Sequence, residues 1–191
     1  MDLKVRSQVP LAEKGGQKWI DDCGPASVAM AIGYATGYTI SPTAKQGWAA
    51  AAQAGRHDRP DQGDGTSAKQ VIDACKVLGA NARWAKSWDE AATAAKNKGS
   101  ALIVNIQASE ACVPSHLRST WQVASWRRNP GHTYGHWVVL AHDGTGWLYA
   151  CPTMVDGEVG RRATPQEVKA LRESKPAAAR VTVIVTKKGI K

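Results

Sequence analysis

Cys23 stands where a cysteine becomes a nucleophile. It falls in the run Asp21-Asp22-Cys23-Gly24-Pro25-Ala26, after which Val28, Ala29, Ile32 and Ala35 recur at helical spacing. Pro25 suits a first helical turn, and Asp21 or Asp22 suits its cap. The spacing therefore predicts a helix over 24–35 with the thiol at its N-terminus. There, unpaired backbone N–H groups and the positive end of the helix dipole favour the thiolate, the form that attacks. Six residues earlier, Gln17 offers an amide donor which, with the Cys23 N–H, would receive the oxyanion of a tetrahedral intermediate. His136 opens the apolar run Trp137-Val138-Val139-Leu140, which reads as a buried strand and brings a base. Residue types and order point to nucleophilic attack on a carbonyl.

A Gln-x5-Cys-Gly-Pro helix start is thus followed far along the chain by Gly135-His136-Trp137-Val138-Val139-Leu140, a Gly-rich turn and a strand ending in Cys151-Pro152. This pattern resembles the papain-like cysteine peptidases, in particular the branch that removes double-glycine leaders from bacteriocins and the peptidase domains of phage lysins. The resemblance implies an α+β papain-like fold, in which an N-terminal helical part carrying the nucleophile packs on an antiparallel sheet carrying the histidine. It implies Cys23, His136 and Gln17 as catalytic residues. Where the family has Asp-Pro, this chain has Cys151-Pro152. Asp143 and Asp156 are the candidate orienters of His136; otherwise the site runs as a Cys/His dyad. Trp19, Asp22 and Trp137, beside the nucleophile and the histidine, and Trp121 and Trp126 further along are the candidate substrate contacts.

The substrate follows from context. A basic peptidase domain with no transporter segment resembles the endopeptidase part of an actinobacteriophage lysin, released to the wall by a holin. Its implied substrate is an amide in a peptidoglycan stem or cross-bridge peptide. Two other readings stay open: a catalytically impaired papain-like module that binds peptides, and a cytoplasmic peptidase acting on a protein or leader peptide.

Composition bounds these readings. With 191 residues, 43% of them apolar, the chain is expected to form one domain, 1–191. No run approaches the roughly eighteen apolar residues that span a bilayer, and Met1 to Arg6 lacks the apolar core of a secretory signal, so synthesis as a cytoplasmic chain is expected. The four cysteines, irregularly spaced, read as free thiols, with Cys75 in the core. A net charge of +9 favours polyanionic partners. The basic residues are scattered and accompany no helix-turn-helix, zinc-finger or RNA-binding pattern, so an anionic cell wall is the expected partner rather than nucleic acid. The peptidase reading asks for no cofactor. A competing one gathers Cys112, His116, His132 and His136 around zinc, which would make His136 a ligand.

The elements that must position these residues read as follows. An edge strand is expected over 4–9, stopped by Pro10, and a helix runs from Ser41-Pro42-Thr43 to Ala54. The polar stretch 55–65, with His57, Asp58, Asp61 and Asp64, fails the calcium-loop pattern and reads as a solvated loop. A capped helix spans 66–79 with Val71, Ile72, Cys75 and Leu78 on one face. A strand over 80–85, a helix opened by a Ser87-Trp88-Asp89-Glu90 capping box and a buried strand over 101–106 come next. From 107 to 135 periodicity is lost, and Trp121, Trp126, Arg127 and Arg128 suggest a lid or substrate loop gripping an amphipathic or acidic ligand. A hairpin pairs 137–141 with 147–151 around Asp143-Gly144. A helix from Thr164 to Leu171 and a strand over 181–185 complete the chain.

Overall fold

Apolar runs separated by capped helices build one sheet and the helices that cover it. The structure, a computed structural model, describes residues 1–8, 22–56 and 65–189. In chain order its elements are α1 (Cys23–Ala35), α2 (Ala44–Gln53), α3 (Ala68–Val77), β1 (Ala80–Trp84), α4 (Trp88–Lys96) and β2 (Ser100–Ala108). Then follow a 3-10 turn (Ser115–Leu117), α5 (Thr120–Arg128), β3 (Tyr134–His142), β4 (Trp147–Ala150), β5 (Arg161–Ala163), α6 (Pro165–Glu173), a second 3-10 turn (Ala177–Ala179) and β6 (Thr182–Lys187). The sheet is six-stranded with order β1-β6-β2-β3-β4-β5, and every neighbouring pair is antiparallel. The expected α+β arrangement of helices on an antiparallel sheet is what the chain forms. No helix among the described residues is long and apolar enough to cross a membrane.

β2 is buried over consecutive residues at its start, so both of its faces are covered. α1 lies against β2, β3 and β6, while α4 and α6 also pack on β2. All thirteen residues of α1 are buried, because α2 and α3 cover the side that the sheet does not. A helix apolar all round belongs in such a central place. The helix ends are set locally. Thr43 with Gln46, Ser67 with Gln70, Ser119 with Gln122 and Thr164 with Glu167 each form a complete capping box.

Several expectations need correction. The helix after Ser41 starts at Ala44 with Thr43 as cap, so Pro42 precedes the cap instead of sitting in the first turn. Ser87 accepts from the Glu90 N–H, but the Glu90 carboxylate accepts from the Lys86 N–H and from Arg83, leaving half of the expected box. The edge strand over 4–9 reduces to one bridge, Lys4 to Val159, flanked by Val5 N–H to Glu158 O and Gly160 N–H to Leu3 O bonds. Val9 and Pro10 lie outside the described residues, as do His57, Asp58, Asp61 and Asp64 of the polar stretch. The stretch 107–135 is not one irregular loop: Ser119-Thr120-Trp121-Gln122 starts a nine-residue helix within it. β5, three residues long, had no periodicity to announce it.

Two glycines explain the Gly24-Pro25 step of α1 by packing. A Cβ on Gly24 would sit 2.4 Å from the Thr66 Cβ, and one on Gly47 of α2 would sit 2.2 Å from the Pro25 carbonyl oxygen. Neither a backbone oxygen nor the Cβ of a β-branched side chain can yield as the end of a flexible side chain can, so α2 and the loop before α3 clamp the first turn of α1 at close range. Gly47→Ala should therefore lose about 1–3 kcal/mol of stability in urea unfolding. Gly65→Ala, whose Cβ would meet nothing within 4 Å among the described residues, should be near neutral.

Candidate active site

Cys23 is the first residue of α1, with Asp22 at the cap position. The Asp22 side chain does not cap the helix. It pairs with Arg56 at 2.8 Å, with both side chains nearly buried. No acidic residue occupies the first turn of α1, so the helix dipole acts on the thiol unopposed from within the helix. Asp22 thus takes the expected cap position, with its carboxylate bonded to Arg56 and not to the helix N–H groups.

β3 supplies the other half. Along a strand, side chains alternate between faces, so His136 and Trp137 serve different sides of the sheet. The Trp137 indole N–H donates to the Thr66 carbonyl at 2.8 Å. Thr66 is the residue against which Gly24 packs, so the strand bearing His136 and the turn bearing Cys23 are locked to one loop. Trp137 is thus buried in the scaffold.

His136, 1% exposed, is surrounded by a chain of neutral polar groups. Its Nε2 lies 3.1 Å from the Cys151 Sγ, which lies 2.9 Å from the Thr153 Oγ1, which lies 2.7 Å from the Ser119 Oγ. Ser119 and Gln122 cap α5 reciprocally, and the Gln122 amide donates to the Tyr134 hydroxyl at 3.3 Å. The Tyr134 ring meets the His136 ring edge to face, with centroids 5.4 Å apart. The circuit returns to its start. Burial pushes the Cys151 thiol up and keeps it neutral, and the same burial pulls His136 down from 6.5 to about 3. Burial likewise pushes the Tyr134 hydroxyl up, against the Gln122 hydrogen bond, so it too stays neutral. Desolvation pulls the Lys175 pKa down.

Asp143 and Asp156 are held elsewhere. Asp143 lies in the turn beyond the far end of β3 from His136, where Arg162 and then the Thr145 and Gly146 donors hold its carboxyl well below the usual range. Asp156 accepts the Ser7 N–H at 2.9 Å. The atom at His136 Nε2 is the Cys151 sulfur, at the very position where the resembling family has its acid. Gln17 and Trp19 lie outside the described residues.

Of the α5 aromatics, Trp126 is 2% exposed and donates its indole N–H to the His132 carbonyl at 3.1 Å, so it packs the core instead of gripping ligand. Trp121 stands edge-on to Tyr134, with centroids 5.9 Å apart. The residues of the competing zinc reading have separate partners. His116 contacts the Arg162 carbonyl, Cys112 meets Ser174, His132 stacks on Tyr134 and His136 holds Cys151. Among the described residues, no group of three or more His, Cys, Asp or Glu side chains is placed to hold a metal ion. Thr153 and Ser119 carried no site signal in the sequence, since only the packing of the start of α5 on the turn after β4 joins them to the His136–Cys151 pair. No protein-family model and no curated protein matches the chain.

Folded His136 takes a proton only near pH 3, the unfolded chain near 6.5. Between those values the unfolded state binds the extra proton, so this group's contribution is complete above 6.5 and falls as pH drops. From pH 7 to pH 5 the protein should lose about 2 kcal/mol more than His136→Asn does, measured by urea unfolding. Every other titrating group is common to both proteins and cancels.

Proposed function

We propose that the protein is a cysteine endopeptidase, and that its substrate is a peptide amide of the peptidoglycan stem or cross-bridge, cut in the manner of a phage endolysin. The observation that carries the reading is the lock between Cys23 at the start of α1 and the His136 strand, made by Trp137, Thr66 and Gly24. It supports a nucleophile and a base kept at fixed separation by the scaffold. Cys23 attacks the amide carbonyl carbon as His136 takes the thiol proton. The carbonyl oxygen, now anionic, is received by the Cys23 N–H with the Gln17 amide. His136 returns the proton to the leaving amine as the C–N bond breaks. A water then gives its proton to His136 and displaces the thiol from the acyl group. The net charge of +9 favours adsorption to an anionic wall.

A second reading is a peptide-binding module without turnover. It is favoured by one observation: His136 is buried among neutral partners, with a thiol where the resembling family has an acid. Wall preparations separate the two. The protein should clear purified actinobacterial walls and release free amines, and Cys23→Ala should lower the rate at least about a thousandfold while leaving wall sedimentation of the protein unchanged. Binding by both proteins with clearing by neither would support the module instead.

A further inference from the structure

Three basic residues from separate segments line one open pocket of about 200 Å³: Lys86 before α4, Arg172 in the last turn of α6 and Arg180 before β6. Ser87, Trp88 and Thr182 line it with them, and among the described residues no acid does. Like charges that share a pocket repel one another, the more so where water is excluded. The fold nevertheless holds two of the three in place. Arg172 lies over the Trp88 ring, 5.3 Å from its centroid, and Trp88 is backed by Trp147 in a stack with 5.9 Å between centroids. The Arg172 side chain is only 24% exposed, yet its ion pair with the adjacent Glu173 is loose, at 3.9 Å. Arg180 is fixed by its Nε, which donates to the Lys175 carbonyl at 2.9 Å. Among the described residues, no carboxylate forms an ion pair with Lys86 or Arg180. Glu90, in the first turn of α4, is occupied by the Arg83 guanidinium and the Lys86 N–H. The Ser87 Oγ accepts the Glu90 N–H as the cap of α4, so its own hydrogen is a donor for another group. The Thr182 carbonyl accepts the Ala85 N–H at 2.9 Å, which fixes the start of β6 against the segment carrying Lys86.

We propose that this pocket binds a phosphate group, with the Arg172 and Arg180 guanidinium groups and the Lys86 ammonium as counter-charges and the Ser87 and Thr182 hydroxyls as neutral donors. Guanidinium forks match the paired oxygens of a phosphate or a carboxylate, and three cations with two hydroxyls suit the higher charge and additional oxygens of phosphate. A volume near 200 Å³ suits an ion or one small group, not a drug-sized ligand. The same chemistry serves a free phosphate ion and one unit of a phosphate polymer. None of the lining residues belongs to the candidate active site, so the pocket does not depend on the peptidase reading.

Calorimetric titration of the full chain with inorganic phosphate, at an ionic strength held constant with chloride, should show saturable one-to-one binding. Lys86→Gln changes an exposed side chain and should weaken that binding about tenfold with an unchanged urea midpoint. Arg172→Gln should weaken it at least as much. Lys45→Gln, which removes the same charge from the exposed side of α2, should weaken it less than about twofold. Binding that does not saturate would overturn the proposal. So would equal weakening by Lys86→Gln and Lys45→Gln, which is the mark of diffuse surface charge. Poly(glycerol phosphate) then separates the two sources of the group. Lys86-dependent binding of both the ion and the polymer assigns the pocket to a polymer phosphate, and Lys86-dependent binding of the ion alone assigns it to free phosphate.

Discussion

The hydrogen bond from the Trp137 indole to the Thr66 carbonyl holds the candidate site together. A buried neutral bond of this kind contributes only about 1 kcal/mol net, yet breaking it leaves a buried carbonyl unsatisfied at about 1–3 kcal/mol. Its larger consequence is geometric. Thr66 is pinned from the sheet by Trp137, and it presses on Gly24 so closely that no other residue fits at that turn of α1. Gly47 presses on the Pro25 carbonyl from α2. The Cys23 turn is therefore registered against the His136 strand through the short, branched Thr66 side chain and against α2 through backbone, neither of which can swing aside as the end of a long side chain can.

On the other face of β3 a second constraint operates. An ionised carboxylate at position 151 would be a fully buried charge, costly unless paired and hydrogen-bonded. The chain instead places a thiol there, and Cys151, Thr153, Ser119, Gln122 and Tyr134 hand hydrogen bonds on without any member carrying charge. A buried polar network satisfied in this way is rigid and specifies one arrangement. It fixes the ring of His136 through Nε2. A neutral partner holds the imidazole without favouring its protonated form, in line with the downward pull of burial on His136.

The sequence displayed the parts of this arrangement that are local. Apolar spacing after Gly24 marked α1, the long apolar runs marked β2 and β3, and Asp143-Gly144 marked the hairpin between β3 and β4, because each signal lies within a few residues. The same reasoning misread Trp126 as a ligand contact. Its type suits an exposed grip as well as a core, and only the return of His132 over α5 decides between them. Trp137 was placed near the site for its neighbour His136, whereas its bond is to a residue far back along the chain. Asp143 and Asp156 were attractive orienters by proximity in sequence, but one is held by Arg162 and the other by the Ser7 N–H. Thr153 and Ser119 could not be found at all, since the turn after β4 and the start of α5 meet only in the fold.

Charge in this protein acts at two ranges. Lys and Arg outnumber Asp and Glu by 25 to 16, and several acids are tied up in pairs such as Asp143 with Arg162 and Asp73 with Lys69 and Lys76. The remaining basic excess is spread over the surface, where salt screens it beyond about 8–10 Å, so it can draw the protein toward an anionic polymer but cannot select a bond within it. Lys175 differs in kind. It is half-buried and held from both sides at the strand residue before His136, where low-dielectric surroundings screen a single charge far less. Raising the ionic strength therefore weakens the surface excess first, because only those charges are fully surrounded by water.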